Sequence, residues 1–206
     1  LVELSWPVPH RFELFGLQTF GYGEVVAFPL ALVPERIGEP VTLKAKLRYL
    51  VCETICVPQD AALSLVVPAG AATPSAHAPL VNRFASLVPQ GAARLGWQVT
   101  QVALEPATGQ AAEDKAAGTM IIDIASTGEA FVAPDALVEG ARNFYFGKPQ
   151  VELSAGNRQA RLTLPVERLG SGPALTDSDL TLTLFDGQRG METRARPALL
   201  PAGGMS

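Results

Sequence analysis

Val41-Thr-Leu-Lys-Ala-Lys-Leu-Arg-Tyr-Leu-Val-Cys52, continued by Glu53-Thr-Ile-Cys-Val-Pro58, is the stretch from which this 206-residue chain is read. Its odd positions Val41, Leu43, Ala45, Leu47, Tyr49 and Val51 are apolar, and its even positions Thr42, Lys44, Lys46 and Arg48 are polar. A period of two gives a strand with one buried and one wet face. Cys52 falls on the wet side. A structural cysteine would more naturally sit on the odd face, so Cys52 is expected at the accessible end of the strand. Leu63-Ser-Leu-Val-Val-Pro68 alternates in the same way, which predicts a hairpin with Glu53–Ala62 as a long loop and Cys56 inside it.

Cys52 and Cys56 are the two cysteines of the chain. Four residues of straight strand span about 13 Å, whereas a disulfide needs Cα atoms within about 7 Å, so a bridge requires the chain to turn between them. Glu53-Thr-Ile tolerates a type I or helical turn, and Pro58 stops any helix beyond it. Three chemistries are open at this point. A structural bridge would close so short a loop that it removes little chain entropy. A redox-active dithiol wants two neighbouring cysteines on a wet edge. A metal site could hold Cu(I) on two thiolates, while zinc would need further ligands, for which His10 and His77 are the available histidines.

Hydrophobic residues make up 48% of the chain and charged residues 17%, enough for a substantial core in one or two domains. With 19 Gly and 17 Pro, the composition suits many short strands and turns. A net charge of −4 gives no argument for nucleic acid. No apolar run approaches the length of a membrane-spanning helix. The chain opens in folded-looking sequence without Met, which is expected of a mature, exported piece of a longer protein.

In order, residues 1–6 read as a short strand ended by Pro7 and Pro9. His10–Gly23 reads as an aromatic loop, with Phe12 and Phe15 as core anchors and Phe20 and Tyr22 on a glycine-flanked, mobile tip. Glu24–Val33 reads as a strand and Ala69–Ser75 as a linker. A short helix follows over 78–88, with Ser75 as a possible N-cap. From Gly96 onward, strands are predicted at 96–104, 119–126, 143–147, 150–155, 159–166, 180–185 and 191–195, with Asp186-Gly187 as a tight turn. The fold class is therefore all-β: two immunoglobulin-like β-sandwich domains in tandem, over 1–70 and 76–206, with a short helix after the linker. The second domain carries no cysteine. Its carboxylates (Asp123, Asp135, Glu139, Asp177, Asp179 and Asp186) read mostly as turn residues, and it offers no nucleophile set, phosphate loop or metal spacing.

Phe-Gly-Tyr-Gly-Glu-Val-Val-Ala-Phe-Pro (20–29), the Lys-rich strand and Tyr-Leu-Val-Cys-Glu-Thr-Ile-Cys-Val-Pro (49–58) together resemble the N-terminal periplasmic domain of the DsbD family. The opening Trp-Pro-Val-Pro-His-Arg (6–11) is similar to its suppressor-of-copper-sensitivity B branch. The resemblance covers residues 1–70. It implies a protein-disulfide reductase domain that takes electrons from its own or an associated transmembrane reductase domain and passes them to periplasmic thioredoxin-fold proteins. It implies no small-molecule cofactor or metal, and a periplasmic location as the soluble part of an inner-membrane protein. Catalytic residues would be Cys52 and Cys56, with Cys56 forming the mixed disulfide and Cys52 resolving it. Phe20, with Tyr22 beside it, would be the aromatic cap over the sulfurs. Two departures from the family pattern stand in the sequence. Gln18-Thr19 occupies the place of acidic residues before the cap aromatic, and the cysteine spacing is shorter. An inert structural bridge in an interaction module and a copper-binding envelope protein are the alternatives. Three Met and two His, widely dispersed, speak against the latter.

Overall fold

The computed structural model describes residues 2–71, 73–108 and 116–201. In chain order the strands are β1 (Val2–Leu4), β2 (His10–Leu14), β3 (Leu17–Gly21), β4 (Leu30–Leu32), β5 (Val41–Cys52) and β6 (Cys56–Val67). Helices α1 (Ala78–Ala85) and α2 (Ala92–Leu95) follow, then β7 (Trp97–Pro106), β8 (Ala116–Ser126), β9 (Pro134–Glu139), β10 (Phe144–Phe146) and β11 (Gln150–Ser154). The last strands are β12 (Gln159–Arg168), β13 (Leu180–Asp186), β14 (Arg189–Ala195) and β15 (Ala198–Leu199). The fold is all-β and immunoglobulin-like, with short helices after the linker, as the strand spacing predicted. It divides into two compact units. One comprises Leu1–Leu4 with Leu30–Pro79, and the other Ser5–Pro29 with Leu80–Ser206.

In the first unit, β1 pairs with β4 and β5 pairs with β6, both antiparallel. The β5–β6 register runs without a break from Val41↔Val67 to Cys52↔Cys56. All apolar odd positions of β5 therefore share a face with Val57, Ala61, Leu63, Leu65 and Val67, while Lys44, Lys46 and Arg48 lie on the other. This corrects the expected long loop. β6 begins at Cys56, not after Ala62, and only Glu53-Thr-Ile connects the strands. Pro58 sits inside β6 opposite Leu50. A proline is compatible with a strand where its missing N–H faces away from the paired neighbour, and β5 is the one strand paired to β6 among the described residues. The strand expected over 24–33 is shorter, Leu30–Leu32 alone.

The second unit is built on a sheet of order β10-β12-β8-β7-β15, with β11 also on β12, and a three-stranded sheet of order β14-β13-β9. Alternation sets the core. Met120, Ile122 and Ile124 of β8 are buried, and Leu164, Leu162 and Ala160 of β12 lie opposite them in register. Leu180, Leu182 and Leu184 of β13 and Met191 of β14 belong to the same core cluster, with Trp97, Phe131 and Phe144. β13 is the central strand of its sheet and is buried along nearly its whole length. Strands β9 and β15 were not anticipated. Part of the Ala107–Gly118 loop lies outside the described residues, and β8 already starts at Ala116.

The segment before the cysteine hairpin belongs to this second unit. Pro7, Val8 and Pro9 are buried, and the Val8 N–H donates to the Leu87 carbonyl. A Cβ on Gly190 would come within 2.4 Å of the Val8 Cγ2, so the absence of a side chain there is what admits Val8. His10–Gly21 is not a loop. β2 and β3 form a hairpin from His10↔Gly21 to Leu14↔Leu17. Its turn has Phe15 at φ 53° and Gly16 at φ 76°, the pair of positive values of a type I′ turn. Phe15 is 73% and Phe12 39% exposed, so neither is the core anchor expected.

Four of the supposed turn carboxylates are partnered in or beside strands, Asp179 before β13 being paired with Arg196 at 2.8 Å. Asp123 on β8 takes a bidentate ion pair from Arg161 at 2.8 and 2.7 Å. The pairing raises the Arg161 pKa above its ordinary value, first through that hydrogen bond and then through the Asp123 charge, against a smaller opposing effect of burial. Asp135 lies on β9. Asp186, buried at the end of β13, accepts the Val132 and Ala133 N–H groups at 3.0 and 2.7 Å and is paired with Arg189. Asp186→Ala would leave the Val132 and Ala133 amides without their acceptor, while Arg189 keeps Glu129 and the Ala130 carbonyl. The variant is expected to lose about 3 kcal/mol of stability in urea unfolding. A loss below about 1 kcal/mol would contradict this role.

Candidate functional site

The site begins with strand register. Because β5 and β6 are antiparallel and in step, Cys52 and Cys56 are direct cross-strand partners, with Cα atoms 4.1 Å apart, and they form a disulfide. That short separation suits the narrow, non-hydrogen-bonded type of antiparallel pair. The Glu53 N–H donates to the Ile55 carbonyl at 3.2 Å, closing the three-residue connection. Both cysteines lie on the even face, as the alternation of β5 predicted for Cys52. Cys52 is exposed and Cys56 partly exposed.

The chemistry around the bridge is mostly apolar. Leu50 is 64% exposed and Ile55 65%, and Val51, Val57 and Tyr49 also show to solvent. The nearest ion pair along the same face is Arg48–Asp60, cross-strand neighbours at 3.6 Å and both highly exposed. Arg48 lies four residues, about 13 Å, from Cys52 along the strand. Glu53 is the charged residue adjoining the bridge in sequence, and its carboxylate works against a thiolate. Among the described residues no group of three His, Cys, Asp or Glu side chains could hold a metal ion.

Phe20 and Tyr22 are placed in the second unit. Phe20 is in β3, opposite Arg11 in register, not on a free loop tip. Its ring lies 4.5 Å from the Arg11 guanidinium carbon and meets Phe185 edge-on at 6.3 Å. Tyr22 follows the strand. Its hydroxyl donates to the Pro7 carbonyl at 2.8 Å, and its ring stands at 85° to Phe28. Burial pushes the Tyr22 pKa above the ordinary tyrosine value. Trp6 packs on the same Phe28. A cleft of about 360 Å³ opens beside Tyr22, lined by Pro7, Val8, His10, Phe84 and Leu87 among others.

Sequence reasoning missed Arg11 and Asp135. Arg11 donates through Nε and Nη2 to the Asp135 carboxylate at 2.8 and 2.7 Å and through Nη2 to the Ala136 carbonyl at 2.8 Å. A pair 124 residues apart leaves no spacing signal. The patterning around Asp135 gave no strand either, since Pro134 opens it.

Residues 1–68 match the family model of the N-terminal region of thiol:disulfide interchange protein DsbD. Residues 87–199, more than half of the chain, match a domain of unknown function, DUF8393. No curated protein matches significantly. Among solved structures, the N-terminal periplasmic domain of ScsB from Proteus mirabilis is similar, with a TM-score of 0.68 at 19% identity. The match covers 96% of this chain and 72% of that one, so the two share a fold.

Reduction of the bridge opens a ring of five residues, for which the chain-entropy contribution is about 2 kcal/mol. On reduction, amide hydrogen exchange at the Cys52–Cys56 end of β5 and β6 is expected to accelerate up to roughly thirty-fold. Exchange in β8, β12 and β13 is expected to be unchanged. Equal acceleration in both units would contradict the local role of the bridge.

Proposed function

The chain belongs, through residues 1–68, to the N-terminal domain family of the DsbD thiol:disulfide interchange proteins and, through residues 87–199, to the DUF8393 family, and on that premise we propose that it is a thiol–disulfide exchange domain working through Cys52 and Cys56. The observation that carries the reading is the cross-strand bridge at the exposed end of β5–β6. Eleven further register pairs already hold that hairpin, and its three-residue turn already joins the strands at this end, so a bond beside the turn is poorly placed as a staple and well placed for attack. On the face that carries the sulfurs, the exposed Leu50 opposite Pro58, with the exposed Ile55 in the connection, offers a partner an apolar contact beside the bridge.

The domain works as a protein-disulfide reductase. The Cys56 thiolate attacks one sulfur of the partner's disulfide, that bond breaks, and a mixed disulfide forms while the released partner sulfur takes a proton. Cys52 then attacks the Cys56 sulfur, frees the second partner thiol and restores the Cys52–Cys56 bridge. Two electrons and two protons have passed to the partner. With Glu53 adjoining and Arg48 engaged by Asp60, the nucleophile is a modest one that depends on docking more than on thiolate stabilisation.

The electron donor in this reading is a transmembrane reductase domain of the same or an associated protein. The acceptors are thioredoxin-fold proteins of the periplasm, where the domain is the soluble part of an inner-membrane protein. Copper tolerance would follow from repair of wrongly oxidised thiols. Phe20, with Tyr22 beside it, is the cap whose displacement admits a partner. An aromatic ring against sulfur contributes about 0.3–1.5 kcal/mol, little enough for docking to overcome.

The roles of the two cysteines are separable. Reduced Cys52→Ser, mixed with an oxidised thioredoxin-fold protein, is expected to accumulate a covalent adduct at Cys56 that dithiothreitol reverses, as read by intact mass and peptide mapping. Cys56→Ser is expected to give at least ten-fold less adduct. Adducts forming equally on both variants, or on neither, would contradict the assignment.

A further inference from the structure

The two outer edges of the cysteine hairpin differ, and strand register says how. Cys52 and Cys56 form a narrow pair with Cα atoms 4.1 Å apart, and the next pair toward the turn, Glu53 and Ile55, is joined by a backbone hydrogen bond. Hydrogen-bonded and non-hydrogen-bonded pairs alternate along an antiparallel ladder. The register is unbroken, so every even residue of β5 from Thr42 to Cys52 points its N–H and C=O away from β6. Among the described residues β5 pairs with β6 alone, which leaves this outward row open along the strand. The edge of β6 is not equivalent. There Pro58 takes the outward position opposite Leu50, and it has no N–H to donate. Close to the bridge, an added strand finds a full set of donors on β5 only.

An open edge pairs indiscriminately unless something limits what can join it, and lysines on the edge do so. Lys44 and Lys46 are exposed and form no ion pair among the described residues, whereas Arg48 is engaged by Asp60. Both lysines lie on the even face, the face of Cys52. Direct cross-strand partners share a face, where opposite charges attract and like charges repel. The stripe therefore rejects a basic strand, and a second copy of the same edge would bring the stripe against itself. The strand it favours carries acidic residues at alternate positions. Such a strand runs up to Cys52 and leaves Cys56, on the other side of the ribbon, uncovered.

We propose that the free edge of β5 docks an extended acidic segment of the protein whose disulfide is exchanged. Docking is by antiparallel strand addition, with acidic side chains opposite Lys44 and Lys46 and an apolar one opposite Leu50. The identity of the partner rests on the exchange reading of the bridge, whereas the docking edge is complete in the oxidised chain.

The test uses the whole oxidised chain and a synthetic Thr- and Val-rich peptide of about ten residues with Glu at two alternate positions. Amide exchange is read residue by residue by NMR. Saturating peptide is expected to slow exchange at Lys44, Lys46, Arg48 and Leu50 about ten-fold and to leave Ala62 and Ser64 of β6 unchanged. Replacing both Glu by Lys in the peptide, or Lys44→Glu/Lys46→Glu in the protein, is expected to weaken binding about ten-fold, and the two changes together to restore it. N-methylation of the Glu positions, whose N–H groups face β5, is expected to abolish binding, and N-methylation of the intervening residues to leave it intact. Protection of β6 amides in place of those of β5, equal binding of both peptides, or self-association that protects the same amides without peptide would each overturn the proposal. Trapping at Cys56 that succeeds while no peptide protects β5 overturns the docking edge and leaves the exchange reading standing. Protection of β5 in a chain whose cysteine pair does not titrate supports the edge and overturns the exchange reading, and with it the identity of the partner.

Discussion

Strand register between β5 and β6 is the constraint on which the chemistry depends. Side chains alternate with a period of two, so an unbroken antiparallel register from Val41↔Val67 leaves one partner for each residue. A slip by one residue would turn Cys56 to the opposite face from Cys52. The same pairing that sorts Leu43 and Leu47 from Lys44 and Lys46 thus delivers two sulfurs to one point. It also makes the connection as short as three residues, so the bridge sits at the very end of the ribbon with solvent around it. No separate device is needed to bring the cysteines together.

The second unit contributes in a different way. Its two sheets bury a core of alternating positions on β8, β12 and β13, which makes it a rigid frame. Its outer features are polar clamps on named strands: Asp186 gathering the Val132 and Ala133 amides, Asp123 holding Arg161, and Asp135 holding Arg11. The last of these fixes a hairpin that precedes the cysteines in sequence by some thirty residues. The sulfurs belong to one compact unit, and Phe20 and Tyr22 belong to the other.

Much of this was legible in the sequence where local periodicity decides the outcome. The alternation of residues 41–51 correctly put Cys52 on the polar face, and the strands at 119–126, 159–166 and 180–185 fall where their apolar spacing placed them. Local pattern misled in two places. Glu53–Ala62 read as a long loop because alternation resumes only at Leu63, yet the strand starts at Cys56, since a proline on the unpaired side of a strand leaves the register intact. The glycines between residues 16 and 23 suggested a mobile loop, although Gly16 serves a tight turn and Gly21 is simply paired with His10. What local pattern could not supply is a pairing such as Arg11 with Asp135. That contact depends on the tertiary arrangement of β9, a strand whose opening Pro134 disguised it. The resemblance carried by residues 20–29 and 49–58 reached the family, which periodicity alone would not have done.

The most direct measurement of the central claim is the redox equilibrium of the Cys52–Cys56 pair, read by alkylation and intact mass across a series of thiol buffers. The account predicts a reversible two-electron transition between dithiol and disulfide at roughly −180 to −300 mV, the range of exchanging protein dithiols. A bridge that stays oxidised well below that range would be a structural one, and the exchange function would be contradicted.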